Sequence, residues 1–323
     1  MDSNLAAEVS GNTSNIGINF EPIPWDFNVD ELHYWVHYGL VIFGAVFTLV
    51  SFVVQFREPA TYGKHEDKPD NYKEVTKNGA TRVELSEGDD DPLTAEQDST
   101  TQLERKDQAR SGCLIPQRIG HFCSDGPPGC ILFPLVFFLY GSITDPVNVV
   151  FLSLFIAHYF HRGFIHPCIM KYSKAKVPFW ITAAGIFPNS IFSFVNADWT
   201  GSAKYSNNYY YDPRFIIGVV LYVVGFIINR WADWKLRSLR SSGGGGYYIP
   251  RGGLFELVSC PNYLGELVEW FGWALANWSA AGLVWWLFGC STFIPRSRDN
   301  HRWYKKKFKE YPPNRKALIP FIY

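Results

Sequence analysis

The chain is poor in the features that mark the common aqueous classes. Its six cysteines, Cys113, Cys123, Cys130, Cys168, Cys260 and Cys290, form no CxxC pair and no metal-like spacing. Neither a disulfide framework nor a metal site is expected from them. No excess of either charge exists, since 30 Lys and Arg balance 30 Asp and Glu. A basic face for nucleic acid is therefore not expected. The first residues hold no basic segment leading into an apolar core, so no cleaved leader is expected. The run Ser241-Ser242-Gly243-Gly244-Gly245-Gly246 follows no strand and lacks GxGxxG spacing. It reads as a flexible linker rather than a dinucleotide fingerprint.

What the chain has is apolar mass and rings, with 47% hydrophobic and 17% aromatic residues. A mean hydropathy of -0.07 hides two populations. One is a polar window rich in charge, Glu87, Asp89, Asp90, Asp91, Glu104, Arg105, Lys106 and Asp107 among it. Residues 66–117 are accordingly expected to be a disordered polar cytosolic insert. The other is a set of nearly uncharged windows, each about long enough to cross a ~30 Å hydrocarbon layer. Seven spans are expected, at about 37–55, 127–142, 147–165, 179–195, 215–231, 263–279 and 280–294. Residues 1–36 then form a non-cytosolic tail, in which Asn12-Thr13-Ser14 would be a glycosylation acceptor. No Lys or Arg precedes Arg57, and Lys305, Lys306, Lys307 and Lys309 crowd the tail. By the positive-inside rule the C-terminus is cytosolic.

Polar residues inside apolar helices are costly in a membrane and mark sites. Asn262, Glu266, Glu269 and Trp273 sit at i, i+4, i+7 and i+11, one face of a helix that is otherwise apolar. Asn229, Asp233, Arg237 and Arg240 fall at i, i+4, i+8 and i+11, also one face. Such a face reads either as a solvated surface beside headgroups or, with the other stripe converging on it, as part of a site for something large, polar and anionic. Arg240 and Arg296 have the fork geometry that holds phosphates. Tyr247-Tyr248-Ile249-Pro250-Arg251-Gly252-Gly253 reads as a structured loop able to cap a planar ring. His158-Tyr159-Phe160-His161-Arg162 is either an interfacial aromatic belt or a hydrogen-bond donor, Tyr159, inside the bundle. Asp125, ahead of Pro127-Pro128, is either a helix cap or an acid kept protonated by desolvation.

Several ordered motifs together resemble the steroid 5α-reductase family (3-oxo-5α-steroid 4-dehydrogenases). They are Pro59 to His65, His158 to Arg162, Ile249 to Phe255, Asn262 to Trp270, Trp278-Ser279, Pro295-Arg296 and Tyr311 to Phe321. Ser259-Cys260-Pro261-Asn262 is similar to the plant brassinosteroid branch. The resemblance implies an all-α, polytopic membrane fold of seven transmembrane helices, with 37–55 the first and 118–323 a six-helix reductase core. It places an NADPH-binding region among the last helices and cytosolic loops. Carried over by position, cofactor contacts are Asn229, Asp233, Arg240, Tyr247, Asn262, Glu266, Arg296 and Tyr304; Asp125 and Tyr159 are the catalytic donors to an enone oxygen. The implied reaction is reduction of the Δ4 bond of a 3-oxosteroid in the endoplasmic reticulum membrane, with no metal, nucleic acid or protein partner. Where the family has Gln-Glu before its second span, this chain has Ser124-Asp125. Rival readings are a trans-2-enoyl-CoA or polyprenal reductase using NADPH, a membrane methyltransferase, and a non-catalytic sterol-binding scaffold.

Overall fold

The computed structural model describes residues 29–57, 72–77, 80–85, 113–141, 145–170, 172, 176–206, 208–242 and 247–323, except for the side chains of 72–77, 80–85 and 240–242. The Asn12-Thr13-Ser14 triplet, the 59–65 segment and Gly243 to Gly246 lie outside these residues.

Among the described residues the chain forms seven helical rods. The first is α1, Glu31–Arg57. The second joins α2, Gln117–Pro127, to α3, Phe133–Tyr140, through a π turn at Pro128–Leu132. The third joins α4, Pro146–Phe160, to α5, His166–Ile169, through a second π turn at His161–Ile165. The rest are α6, Phe179–Ser202, α7, Pro213–Ser242, α8, Pro261–Asn277, and α9, Ala280–Lys307. Local sequence sets their ends. Asp145 caps α4 by accepting from the Val147 and Asn148 amides, with Pro146 at the first helical position. Trp278, in the left-handed region at φ 51°, stops α8, and Ser279 then caps α9 by accepting from Gly282 N at 2.8 Å.

Each expected span overlaps one rod, although 127–142 and 263–279 run past the helix ends at Tyr140 and Asn277. The second rod starts about ten residues earlier than expected, at Gln117. Asp125 therefore lies within a helix and does not cap one. Pro127 and Pro128 do not end the rod, because the π turn they open absorbs the lost amide donors.

Three rods are long and apolar enough to cross a membrane: Glu31–Arg57, Gln117–Tyr140 and Pro213–Leu239. Their outer faces carry bare hydrophobes, such as Leu32, Ile42 and Leu49 on α1 and Ile216, Val220 and Ile227 on α7. That inside-out exposure suits lipid as solvent. The core between the rods is aromatic: Phe133, Phe137, Phe151, Phe155, Trp270 and Trp273 are fully buried.

The bundle has two unlike ends. At one, Asp198 on α6 holds His33 Nε2 at 2.6 Å and His37 Nδ1 at 2.7 Å from α1. At the other, Arg298 Nη2 donates to Phe56 O at 3.0 Å, and the basic residues of α7, α9 and the C-terminal tail gather.

The polar insert is not uniformly unstructured. β1, Tyr72–Lys77, and β2, Ala80–Leu85, pair as an antiparallel hairpin, and β2 pairs in turn with β5, Tyr247–Tyr248. A third strand, β3, Leu114–Pro116, pairs with β4, Lys176–Pro178, ahead of α6. Alternating Val and Thr at 75, 76, 81 and 83 gives the hairpin β propensity that charge counting overlooks. The remainder, 66–71, 78–79 and 86–112, lies outside the described residues.

α7 and α8 are the closest pair. Gly225 and Gly265 sit where the helices touch: a Cβ on Gly225 would overlap Gly265 O and Glu269 N, and one on Gly265 would overlap Gly225 O and Asn229 N. Small residues at such crossings let backbones meet, as is usual between membrane helices.

Candidate active site

A cavity of about 490 Å³ opens between α1, α2, α4, α6, α8 and α9. Its lining combines aromatic residues, Trp270, Trp285 and Phe288, with polar ones, Asp125, Tyr159, Arg162, Glu266 and Arg296. The second π turn contributes Arg162 to the lining, and the first packs against Tyr159. Such insertions recur at functional sites because they turn side chains off the regular helical path. Here Gly129, in the first π turn, lies against the Tyr159 ring, where any side chain would collide.

Tyr159 is 3% exposed, and its ring packs on Phe155 at 4.7 Å and Trp270 at 6.1 Å. Its hydroxyl makes no hydrogen bond to any described residue. A phenol held rigidly by its ring, with an uncommitted hydroxyl beside a chamber, is a donor poised for a ligand.

Asn189 Nδ2 donates to Asp125 Oδ1 at 2.9 Å. Its Oδ2 faces Arg162 Nε at 3.3 Å and His121 Nε2 at 3.1 Å. Asn189 Nδ2 and Arg162 Nε can only donate, so both carboxylate oxygens act as acceptors. Asp125 thus stands at the chamber wall among Arg162, His121 and Asn189.

The stripe on α8 points inward. Glu266 Oε2 accepts from Asn229 Nδ2 at 3.0 Å, and the same amide donates to Asn262 O at 2.9 Å. Asn262 Nδ2 donates to Asp233 Oδ1 at 3.2 Å, and Asp233 Oδ2 lies 3.7 Å from His166 Nδ1. Arg230 donates to Asn229 Oδ1 and contacts His161 Nδ1. Four residues expected in the site, Asn229, Asp233, Asn262 and Glu266, thus form one chain, and Glu266 brings it to the chamber wall. Arg296 lines the same chamber from α9.

Tyr247 and Tyr304 fall elsewhere. The Tyr247 ring lies 4.9 Å from Trp303, and Tyr304 stacks on Tyr311 at 5.3 Å, in an aromatic cluster at the far end of α9. Neither is among the residues lining the chamber. The Arg240 side chain lies outside the described residues.

Below that cluster, Ser259 Oγ pairs with His301 Nδ1 and with Tyr311 Oη, each at 2.6 Å. Burial, and then the charges of Lys305, Arg315 and Lys316, push His301 down to about 4. The Gly252 amide, donating at 2.6 Å, holds Glu256 below the usual carboxylate range.

Sequence reasoning singles out Tyr159 and passes over its neighbours His158 and Arg162, which line the chamber too. Positions 158 and 162 share a helical face, and that spacing is the signal that finds them. Glu269 belongs to the stripe but faces His158 rather than the chamber.

Comparison with known proteins bears on this arrangement. A sequence profile described as 3-oxo-5-alpha-steroid 4-dehydrogenase matches residues 174–323. The chain is 39% identical over 221 residues to steroid 5-alpha-reductase DET2 of Arabidopsis thaliana, covering 66% of this chain and 84% of that one. The chain belongs to the steroid 5-alpha-reductase family. Within the family it is also 42% identical over 193 residues to DET2 of Solanum lycopersicum, covering 58% of this chain and 75% of that one. Against 3-oxo-5-alpha-steroid 4-dehydrogenase 1 of Rattus norvegicus it is 42% identical over 215 residues, covering 65% and 82%. The profile match includes α6 to α9, the family region that supplies Asn229, Asp233, Asn262, Glu266 and Arg296.

Proposed function

We propose that the protein reduces the Δ4 double bond of 3-oxo-Δ4-steroids to 5α-3-oxosteroids, using NADPH. Family membership gives the reaction class. The observation that carries the reading to this chain is the uncommitted Tyr159 hydroxyl beside a chamber lined by both aromatic and polar residues.

The residues present fit a reduced nicotinamide dinucleotide. A guanidinium, Arg296, in the chamber wall suits a phosphate. The Glu266, Asn229 and Asn262 set offers the acceptors and donors that an amide or a ribose hydroxyl needs. Bound there, the cofactor supplies hydride to C5; the protein supplies orientation and charge.

Tyr159 donates a hydrogen bond to the C3 oxygen and stabilises the negative charge that grows on it. One such donor is worth a few kcal/mol in a water-poor site. Asp125 fixes Arg162 and His121 around that oxygen. Trp270, Trp285 and Phe288 provide flat apolar surface for a fused-ring substrate and exclude water. Tyr247, Tyr304 and Arg240 are proposed for the more distant, adenosine-bearing part of the cofactor.

All seven rods are proposed to cross the endoplasmic reticulum membrane. The basic end, with the C-terminus, faces the cytosol, in line with the positive-inside rule. Residues 1–36 would then precede the membrane on the far side.

The test is incubation of membranes with NADPH and a panel of 4-en-3-one steroids, trans-2-enoyl-CoAs and polyprenals. A saturated steroid is the expected product. Turnover of only a thioester or a polyprenal would reassign the substrate, and loss of activity on removing NADPH identifies the cofactor.

A further inference from the structure

Reduction of an enone consumes a hydride and a proton, and Tyr159 and NADPH account only for the hydride and the charge on oxygen. On the reaction proposed above, we propose that His158 and Glu269 form the buried proton source that completes it at C4. His158 Nδ1 and Glu269 Oε1 are 2.6 Å apart, and the two side chains are 2% and 0% exposed. His158 also lines the chamber, one residue from Tyr159. With Nδ1 committed to Glu269, Nε2 is the ring nitrogen left to act on a ligand.

The surroundings enclose the pair. Trp270 lies 4.6 Å from the imidazole and Phe226 6.5 Å, so the pair sits in an aromatic box. Glu269 Oε2 is buried with no hydrogen-bond partner among the described residues. A lone carboxylate there would be costly, whereas a carboxylate sharing one proton with an imidazole is compensated. Other charged or titratable groups face the pair from each neighbouring element. They are Asp125 and His121 on α2, Tyr159, His161 and Arg162 on its own rod, Tyr222 and Arg230 on α7, and Glu266 on α8.

The step balances. Once hydride has reached C5, the C4=C5 pair has moved to C3–C4 and the carbonyl pair to oxygen. The carbonyl then reforms, the C3=C4 pair takes the proton from His158 Nε2, and a C4–H bond results. Glu269 carries the imidazolium until that moment, and water restores the proton afterwards. His158 is the catalytic residue, and Glu269 positions it.

Two substitutions separate this role from packing. In His158→Asn, the amide can still donate to Glu269 from the place of Nδ1, but it carries no transferable proton. Glu269→Gln keeps the shape and an acceptor while removing the charge. The full-length enzyme in nanodiscs is assayed with NADPH and a 4-en-3-one steroid that the wild type reduces. Thermal unfolding and NADPH fluorescence titration run alongside. His158→Asn is expected to lower kcat by about 100-fold, the usual scale for losing a general acid. KM for the steroid and NADPH affinity should stay within about two-fold, since neither contact is made by the pair. The solvent deuterium effect on kcat should rise and the pH profile lose its acidic group. Wild-type kcat, pH profile and isotope effect in His158→Asn would overturn the proposal, even with a lowered melting temperature. Should that variant not fold, Glu269→Gln is read by the same measurements, with the same results deciding. A wild type that reduces no 4-en-3-one refutes the proposed function instead.

Discussion

Replacing Tyr159 by Phe removes one atom and tests the site directly. The Phe155, Trp270 and Gly129 surfaces that hold the ring are indifferent to the hydroxyl. That hydroxyl has no hydrogen-bond partner among the described residues. Removing it leaves no group stranded, so stability should change by well under about 1 kcal/mol. The catalytic loss should be much larger. A preorganised donor to a developing oxyanion is worth about 2.7–4 kcal/mol, or about 10²- to 10³-fold in kcat. NADPH affinity should be unchanged, because the hydroxyl serves the steroid oxygen. The assay is steady-state reduction of a 4-en-3-one steroid by enzyme in detergent or nanodiscs, with NADPH binding followed by nucleotide fluorescence. If NADPH affinity fell in step with kcat, or kcat fell less than about three-fold, the hydroxyl would not be an oxyanion donor.

Asp125→Asn should destabilise more than Tyr159→Phe does, by about 1–3 kcal/mol, because its amide would meet the Arg162 and Asn189 donors and remove the carboxylate paired with the half-buried guanidinium; differential scanning fluorimetry reads this. Gly265→Val should force α7 and α8 apart, move Asn229 from Glu266, and raise the apparent KM for NADPH together with a lower melting temperature. Val83→Pro removes a backbone donor opposite Tyr247, and loss of amide protection at Tyr247 and Tyr248 in hydrogen exchange, with the helical core unaffected, would mark release of the hairpin. His301 has a folded value near 4, below the ordinary value of about 6.5. The folded state thus binds fewer protons than the unfolded one between these limits, so His301 stabilises the tail above about pH 6.5 and this is lost as pH falls toward 4. Limited proteolysis should cut the segment after Tyr304 faster at pH 5 than at pH 7, and His301→Asn should flatten that difference.

Helix positions and the α8 stripe were legible because each rests on a local period. Apolar runs give rods whatever their neighbours do, and residues at i, i+4 and i+7 share a face on any helix. Asn262 and Glu266 needed only the rule that polar and charged side chains avoid lipid to be placed inward. What the sequence hid depends on neighbours far along the chain. Asp125 looks like an isolated acid until Arg162 and Asn189, 37 and 64 residues away, supply donors to both its oxygens. The π turns were equally illegible. Pro127-Pro128 signals a helix boundary on local grounds, whereas the π turn that lets the rod continue packs its Gly129 on Tyr159, a contact no local pattern shows. The hairpin was missed for a third reason: charge composition speaks to burial and says little about strands that extend an existing edge.

Site and packing are one energetic unit in this bundle. Glu266 is 7% exposed and Glu269 0%, on a helix whose outer neighbours are aromatic. Each carboxylate is compensated from a different rod: Asn229 on α7 serves Glu266, and His158 on α4 serves Glu269. Those compensations require the rods to sit within a few tenths of an ångström of their places. For α7 the Gly225 and Gly265 crossing fixes this, since no side chain intervenes to let the helices slide. For α4 the Phe155 ring stacked on Phe133 at 3.8 Å and edge-on to Trp270 at 5.7 Å does so. An apolar bundle with the same shape would be more stable without these charges. Glu266 at the wall of a chamber between six helices, with Glu269 behind it, is therefore better explained by a ligand than by stability, and the close glycine contacts and stacked rings hold that arrangement in place.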